Sequence, residues 1–276
     1  MKPISTKNVF RSLAALALTI TGGSVFAAST SWDVTGAASG VRLSGYSNQM
    51  NTSTTNTATI NGTKFAAATV YDWGSTSTGG LGVVSSKENA GSTGPHATDN
   101  TYGIDALMIN FTGGPVNLTG LTIGWNGSDN PVSSTTYNDS DLSVFVWTGT
   151  TEPPSLTSLT PNSLALTSSG WTLVGNYADV GSGSNTESPL DSSLYSSYWL
   201  ISAYSSAYGN TNSSGIGSLG QGNDAFKLLS VAGNTCAGIV TNGTCGSKVP
   251  EPGSLALMGI AMAGFVATRR RKQQSA

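Results

Sequence analysis

Nine apolar runs of strand length, nearly all closed by Gly, Asn, Asp or Pro, constrain this chain more than any other feature. They are "WDVTG" (Trp32–Gly36), "VRLSGYS" (Val41–Ser47), "KFAAATVYDW" (Lys64–Trp73), "IDALMINF" (Ile104–Phe111), "VNLTGLTIGW" (Val116–Trp125), "DLSVFVWTG" (Asp141–Gly149), "WTLVGNYADV" (Trp171–Val180), "SYWLISAY" (Ser197–Tyr204) and "AFKLLSVAG" (Ala225–Gly233). Turn residues at the ends of short apolar runs supply the geometry for chain reversal. Several runs alternate, the period of a half-buried strand, whereas "LMINF" and "SVFVW" are apolar throughout. No part of the body repeats apolar residues at a sustained helical spacing. The pattern predicts an all-β chain, a single antiparallel β-sandwich or jelly-roll-like domain of about eight to ten strands.

Two stretches interrupt the runs. From Ser47 to Thr63 twelve of seventeen residues are Ser, Thr or Asn, and no charge lies between Arg42 and Lys64. This reads as a long polar loop, or as a strand with a Thr-lined outer face. An ice-binding surface would need a regular flat array of Thr, and "NTSTTNTAT" (51–59) lacks a repeated spacing. The second stretch, "TEPPSLTSLTPNS" (Thr151–Ser163), holds three prolines and reads as a loop between strands.

Residues 1–27 have the three-part layout of a secretory signal. Lys2, Lys7 and Arg11 precede an apolar run from Leu13 to Ile20, and small residues lead to cleavage after Ala27, with Ala28 the alternative. The expectation is export through Sec-type machinery, leaving a body over 28–248 and a tail over 249–276. Five of the twelve basic residues lie outside the signal and the tail's basic cluster, and all fourteen acids lie between Asp33 and Glu251, so the exported part has a formal charge of 5 − 14 = −9. A body of that sign repels phosphate backbones, and nucleic acid is not an expected partner.

Catalytic chemistry finds little support. His96 in "GPHATDN" is the single histidine, and no serine sits in a nucleophile-elbow context beside it. Any two of the fourteen acids could approach as a glycosidase pair, so a secreted hydrolase is the least supported reading. No enzymatic activity and no cofactor are expected. Asp139 and Asp141 project to one side if the strand extends to them, where calcium could join them, although the stretch fails the calcium-loop pattern. Exposed Trp or Tyr could stack on sugar rings, making a carbohydrate-binding module, with or without calcium, the alternative function. Trp125, Trp147, Trp171 and Trp199 sit inside apolar runs and read as core.

Cys236 and Cys245 flank "AGIVTNGT", and in an oxidising compartment they are expected to form a disulfide across the Asn242-Gly243 turn. Seven N-x-[ST] triplets begin at Asn51, Asn61, Asn117, Asn126, Asn138, Asn212 and Asn242, most of them expected by chance in a chain this rich in Asn, Ser and Thr.

The tail "VPEPGSLALMGIAMAGFVATRRRKQQSA" joins an extended motif (Pro250, Glu251, Pro252), fourteen apolar residues (Leu255–Thr268) and a basic cluster (Arg269, Arg270, Arg271, Lys272). As a helix the apolar stretch rises about 21 Å, short of the roughly 30 Å hydrocarbon layer, so it predicts a short transmembrane helix that spans only with help from flanking residues. The basic cluster orients it with the C-terminus in the cytoplasm. These three parts in order resemble the PEP-CTERM sorting signal of Gram-negative bacteria. The resemblance implies exosortase as partner, with recognition and processing at Pro250, Glu251 and Pro252, transient anchoring in the inner membrane, and release to the surface or beyond. Upstream, "HATDN", "LTIGWNGSDNP", "DSDLSVFVW" and "GWTLVGNYADV" are similar to exosortase-dependent surface proteins of the XDP1 type. That similarity implies a structural or adhesive role in extracellular matrix, exopolysaccharide or biofilm, and it carries over no catalytic residues.

Overall fold

The computed structural model describes residues 29–36, 39–48, 63–76, 78–86, 96–100, 103–126, 140–181, 186–214, 217–220, 224–246 and 258–262. The signal segment, most of the Ser/Thr/Asn stretch, Asp139, the Pro250-Glu251-Pro252 motif and Arg269 to Lys272 lie outside them.

The described body is mostly antiparallel β, built on one continuous twelve-stranded sheet that curls over on itself. One leaf orders β2 (Val41–Ser47), β6 (Asp105–Phe111), β11 (Tyr198–Ala203), β8 (Leu142–Trp147) and β9 (Trp171–Tyr177). The other orders β4 (Leu81–Val84), β12 (Ala225–Thr235), β7 (Val116–Trp125) and β10 (Glu187–Pro189), with β1 (Thr30–Asp33) and β5 (Thr98–Asp99) added along β12. The strand β3 (Ala66–Asp72) is the corner. Its residues Ala66 to Ala68 pair with β2, and Thr69 to Asp72 pair with β4. A strand that changes partners halfway folds one sheet into two facing leaves. The expected antiparallel β architecture is present, and its two leaves are halves of a single curled sheet, a connection that only long-range pairing decides.

The leaf containing β6, β8 and β11 is covered on both faces, which explains why these runs lack polar alternation. Leu107, Ile109, Val144, Val146, Trp199 and Ile201 point into the core between the leaves. The intervening Ala106, Phe145 and Leu200 point outward into a second core. Its cover is the 151–169 segment, which contributes Leu156 and Leu166. Here the expected plain loop contains a 3-10 turn (Leu156–Ser158) and the helix α1 (Ser163–Ser169). Asn162 caps α1 by accepting from the Ala165 N–H, and Gly170 ends it at φ 110°, a left-handed conformation suited to glycine. Seven residues are too few to show a helical stripe in sequence.

The hairpin β13 (Val240–Thr241) and β14 (Thr244–Cys245) ends the described body. Asn242 and Gly243 turn it with positive φ at both positions, and a Cys236–Cys245 disulfide staples it with the Cα atoms 5.7 Å apart. Residues 258–262, inside the apolar tail segment, are helical and exposed. Among the described residues no helix is long and apolar enough to cross a membrane, so the transmembrane helix expected over 255–268 is not shown.

Candidate functional site

The described surface carries one concentrated aromatic group at the β3 corner. Tyr71 and Trp73 are two residues apart, at the end of β3 and just beyond it, and each is 41 % exposed. Asp72 between them shapes the chain, its carboxylate accepting from the N–H groups of Gly36 and Gly74 at 2.7 Å each. Trp73 then donates its N–H to the Gly80 carbonyl across the hairpin.

His96 comes to the same place from a distant loop. Its backbone crosses β4 over Gly82, opposite Tyr71, where any Cβ would collide with the His96 carbonyl. The imidazole lies 5.3 Å from the Tyr71 ring and stacks with Trp73 at 6.1 Å, while the two exposed rings are 5.1 Å apart. His96 is thus a packed ring at this site.

Against the Trp73 ring lies Lys227 of β12, paired across strands with Trp125 of β7. Its Nζ sits 4.0 Å from the Trp73 ring centroid and 5.0 Å from that of Trp125. The side chain is 6 % exposed, and its ammonium makes neither an ion pair nor a hydrogen bond to the described residues. Burial pushes the ammonium down to about 8, against the attraction of the indole faces. Trp125, Trp147, Trp171 and Trp199 are buried and Trp32 is half-buried against the core, so the exposed tryptophan is Trp73, which the sequence reading left unassigned. Its usable signal was "YDWG", two aromatics at strand period against a turn glycine.

Asp141 is fully buried and ties segments together. Its carboxylate accepts from the N–H groups of Asp179 and Gly220, and its own N–H donates to Asp224, which also binds the Asn100 amide. The Tyr204 hydroxyl is raised above its usual range by burial, and further by Asp141 and Asp224. Among the described residues no three His, Cys, Asp or Glu side chains gather to hold a metal. Of the N-x-[ST] asparagines, Asn117, Asn126 and Asn212 spend their amides on backbone carbonyls.

The stapled hairpin is held to the body where the Tyr195 N–H donates to Gly243 and the Cys236 N–H to Pro115. The chain leaves the described body at Gly246, four residues before Pro250.

Comparison with known proteins finds a PEP-CTERM protein-sorting motif at residues 248–272. This span takes in Pro250, Glu251, Pro252, the apolar segment and the basic cluster. No curated protein and no solved structure matches the chain. The motif implies export, membrane-associated processing and exosortase as the processing partner. With its three parts in order over residues 248–272, this chain carries the PEP-CTERM protein-sorting motif of an exosortase-sorted, exported protein.

Proposed function

We propose that the protein is a non-enzymatic component of the cell surface or extracellular matrix, structural or adhesive in role, with exopolysaccharide as its surroundings and partner. The PEP-CTERM motif carries this reading, since it commits the chain to export and processing outside the cytoplasm. The likeness to exosortase-dependent surface proteins of the XDP1 type points the same way, toward biofilm. A β body whose single histidine is packed against two aromatic rings supports a binding role over a hydrolytic one.

In this reading the signal segment delivers the chain to the export machinery. The apolar tail then holds it in the inner membrane while Pro250 and Pro252, which lack N–H donors, keep the motif extended for an enzyme cleft. After processing, the β body reaches the surface or the medium.

The test is intact mass with C-terminal peptide mapping of protein recovered from the surface of its native host. A chain ending near Pro250–Pro252 supports the proposal. Surface material that still carries Arg269 to Lys272 overturns it, because the protein would then be a permanently anchored membrane protein.

A further inference from the structure

We propose that Tyr71, Trp73, His96 and Lys227 form a binding site for an acidic glycan, a pyranose ring lying on the exposed Tyr71–Trp73 surface and a uronate carboxylate pairing with the Lys227 ammonium. The site deepens the matrix reading above and rests on it for the source of its ligand.

Two independent observations converge here. The first is aromatic exposure. Most of the large apolar side chains of the described body are buried, yet Tyr71 and Trp73 stand side by side at 41 % exposure, backed by His96. Clustered exposed rings are a feature of interaction surfaces, and the apolar C–H face of a sugar ring suits a flat aromatic surface.

The second observation is the lysine. Five basic residues serve the exported body of net −9, and one of them is buried here to 6 % exposure without a carboxylate partner among the described residues. Buried cations are ordinarily paired, so an ammonium that meets only two indole faces among the described residues suits an anionic ligand.

The charge excludes a cationic ligand, because the position of the guest cation in an aromatic cage is already taken by Lys227. A dense polyanion such as nucleic acid would meet one cation here and repulsion from the rest of the body. A glycan with occasional uronate units fits both features: neutral rings for the aromatic surface and a single carboxylate for the single ammonium.

The test uses the full-length chain in mild detergent, titrated with a neutral oligosaccharide that carries one glucuronate and with the same oligosaccharide after reduction of that carboxylate to the alcohol. Indole fluorescence and calorimetry report binding. The expected result is binding of the acidic form about tenfold or more tighter than the reduced form, a change of about 1.4 kcal/mol per tenfold. Lys227→Met is expected to bind both forms equally, and Trp73→Ala to lose both. Tyr71→Ala serves as a second ring variant should Trp73→Ala fail to fold.

Equal binding of the two forms by the unmodified protein overturns the proposal. So does the absence of binding to either, or binding that survives loss of each ring. Such a failure alongside a C-terminus processed at the motif removes the ligand and leaves the matrix reading in place. A surface protein that keeps its basic tail removes that reading without altering the measured affinities.

Discussion

Burial disfavours the charged form of Lys227. A lysine in the unfolded chain titrates near about 10.4, whereas burial brings Lys227 down to about 8. The unfolded chain therefore binds the proton more tightly than the folded one. The cost is fully present below pH 8, is relieved as the ammonium deprotonates, and stability contributed at this site rises between about pH 8 and 10.4. Replacing the ammonium with a thioether, as in Lys227→Met, is expected to raise the melting temperature at pH 7. The gain should be about 1 kcal/mol, with solvent screening of a partly solvated ammonium allowed for, and it should vanish above pH 10. A melting temperature lowered at pH 7 would show that the indole contacts outweigh the desolvation. Asp141 works in the opposite sense, since its oxygens satisfy two backbone N–H groups from separate loops. Asp141→Asn turns an amide donor toward one of them, and a loss of about 1–3 kcal/mol in denaturant unfolding is expected.

Among the elements, β3 and the stapled hairpin have the most consequence. The division of β3 between two partners creates the facing leaves, and Tyr71 and Trp73 stand exposed at the far end of this strand. Sequence reading found a strand here, but its change of partner halfway along has no local signature, because hydrogen-bond partners are not encoded in side-chain period. The strands β4, β5 and β10 are two to four residues long and exist through pairing with longer neighbours, which is why their periodicity went unseen. The hairpin was legible in outline: two cysteines around Asn-Gly in an exported chain. Its disulfide closes a short loop, so Cys236→Ser with Cys245→Ser is expected to cost about 2–3 kcal/mol. The hairpin amides of Thr241 and Thr244 should then exchange faster than those of β6 and β11. Unchanged exchange at the hairpin would show that its contacts through Tyr195 and Pro115 suffice.

For the whole molecule, folding and sorting occupy separate parts of the chain. The described core is built entirely from residues before Gly246, and the sorting motif begins at residue 248. Glu251→Ala is therefore expected to leave the melting temperature unchanged while the unprocessed chain accumulates in the inner-membrane fraction, as read by mass spectrometry and fractionation. Normal processing of this variant would remove Glu251 from the recognition element. The sequence by itself determined the linear and the local: the sorting motif, which an enzyme reads in extended form, and the main strands, whose turn residues and apolar runs act within a few neighbours. Only the tertiary structure decided the folded sheet, the double-sided burial of β6, β8 and β11, and the meeting of residues 71, 73, 96, 125 and 227. Those depend on pairing between strands far apart in the chain, where many registers satisfy the same alternation and the packing of the whole core selects one.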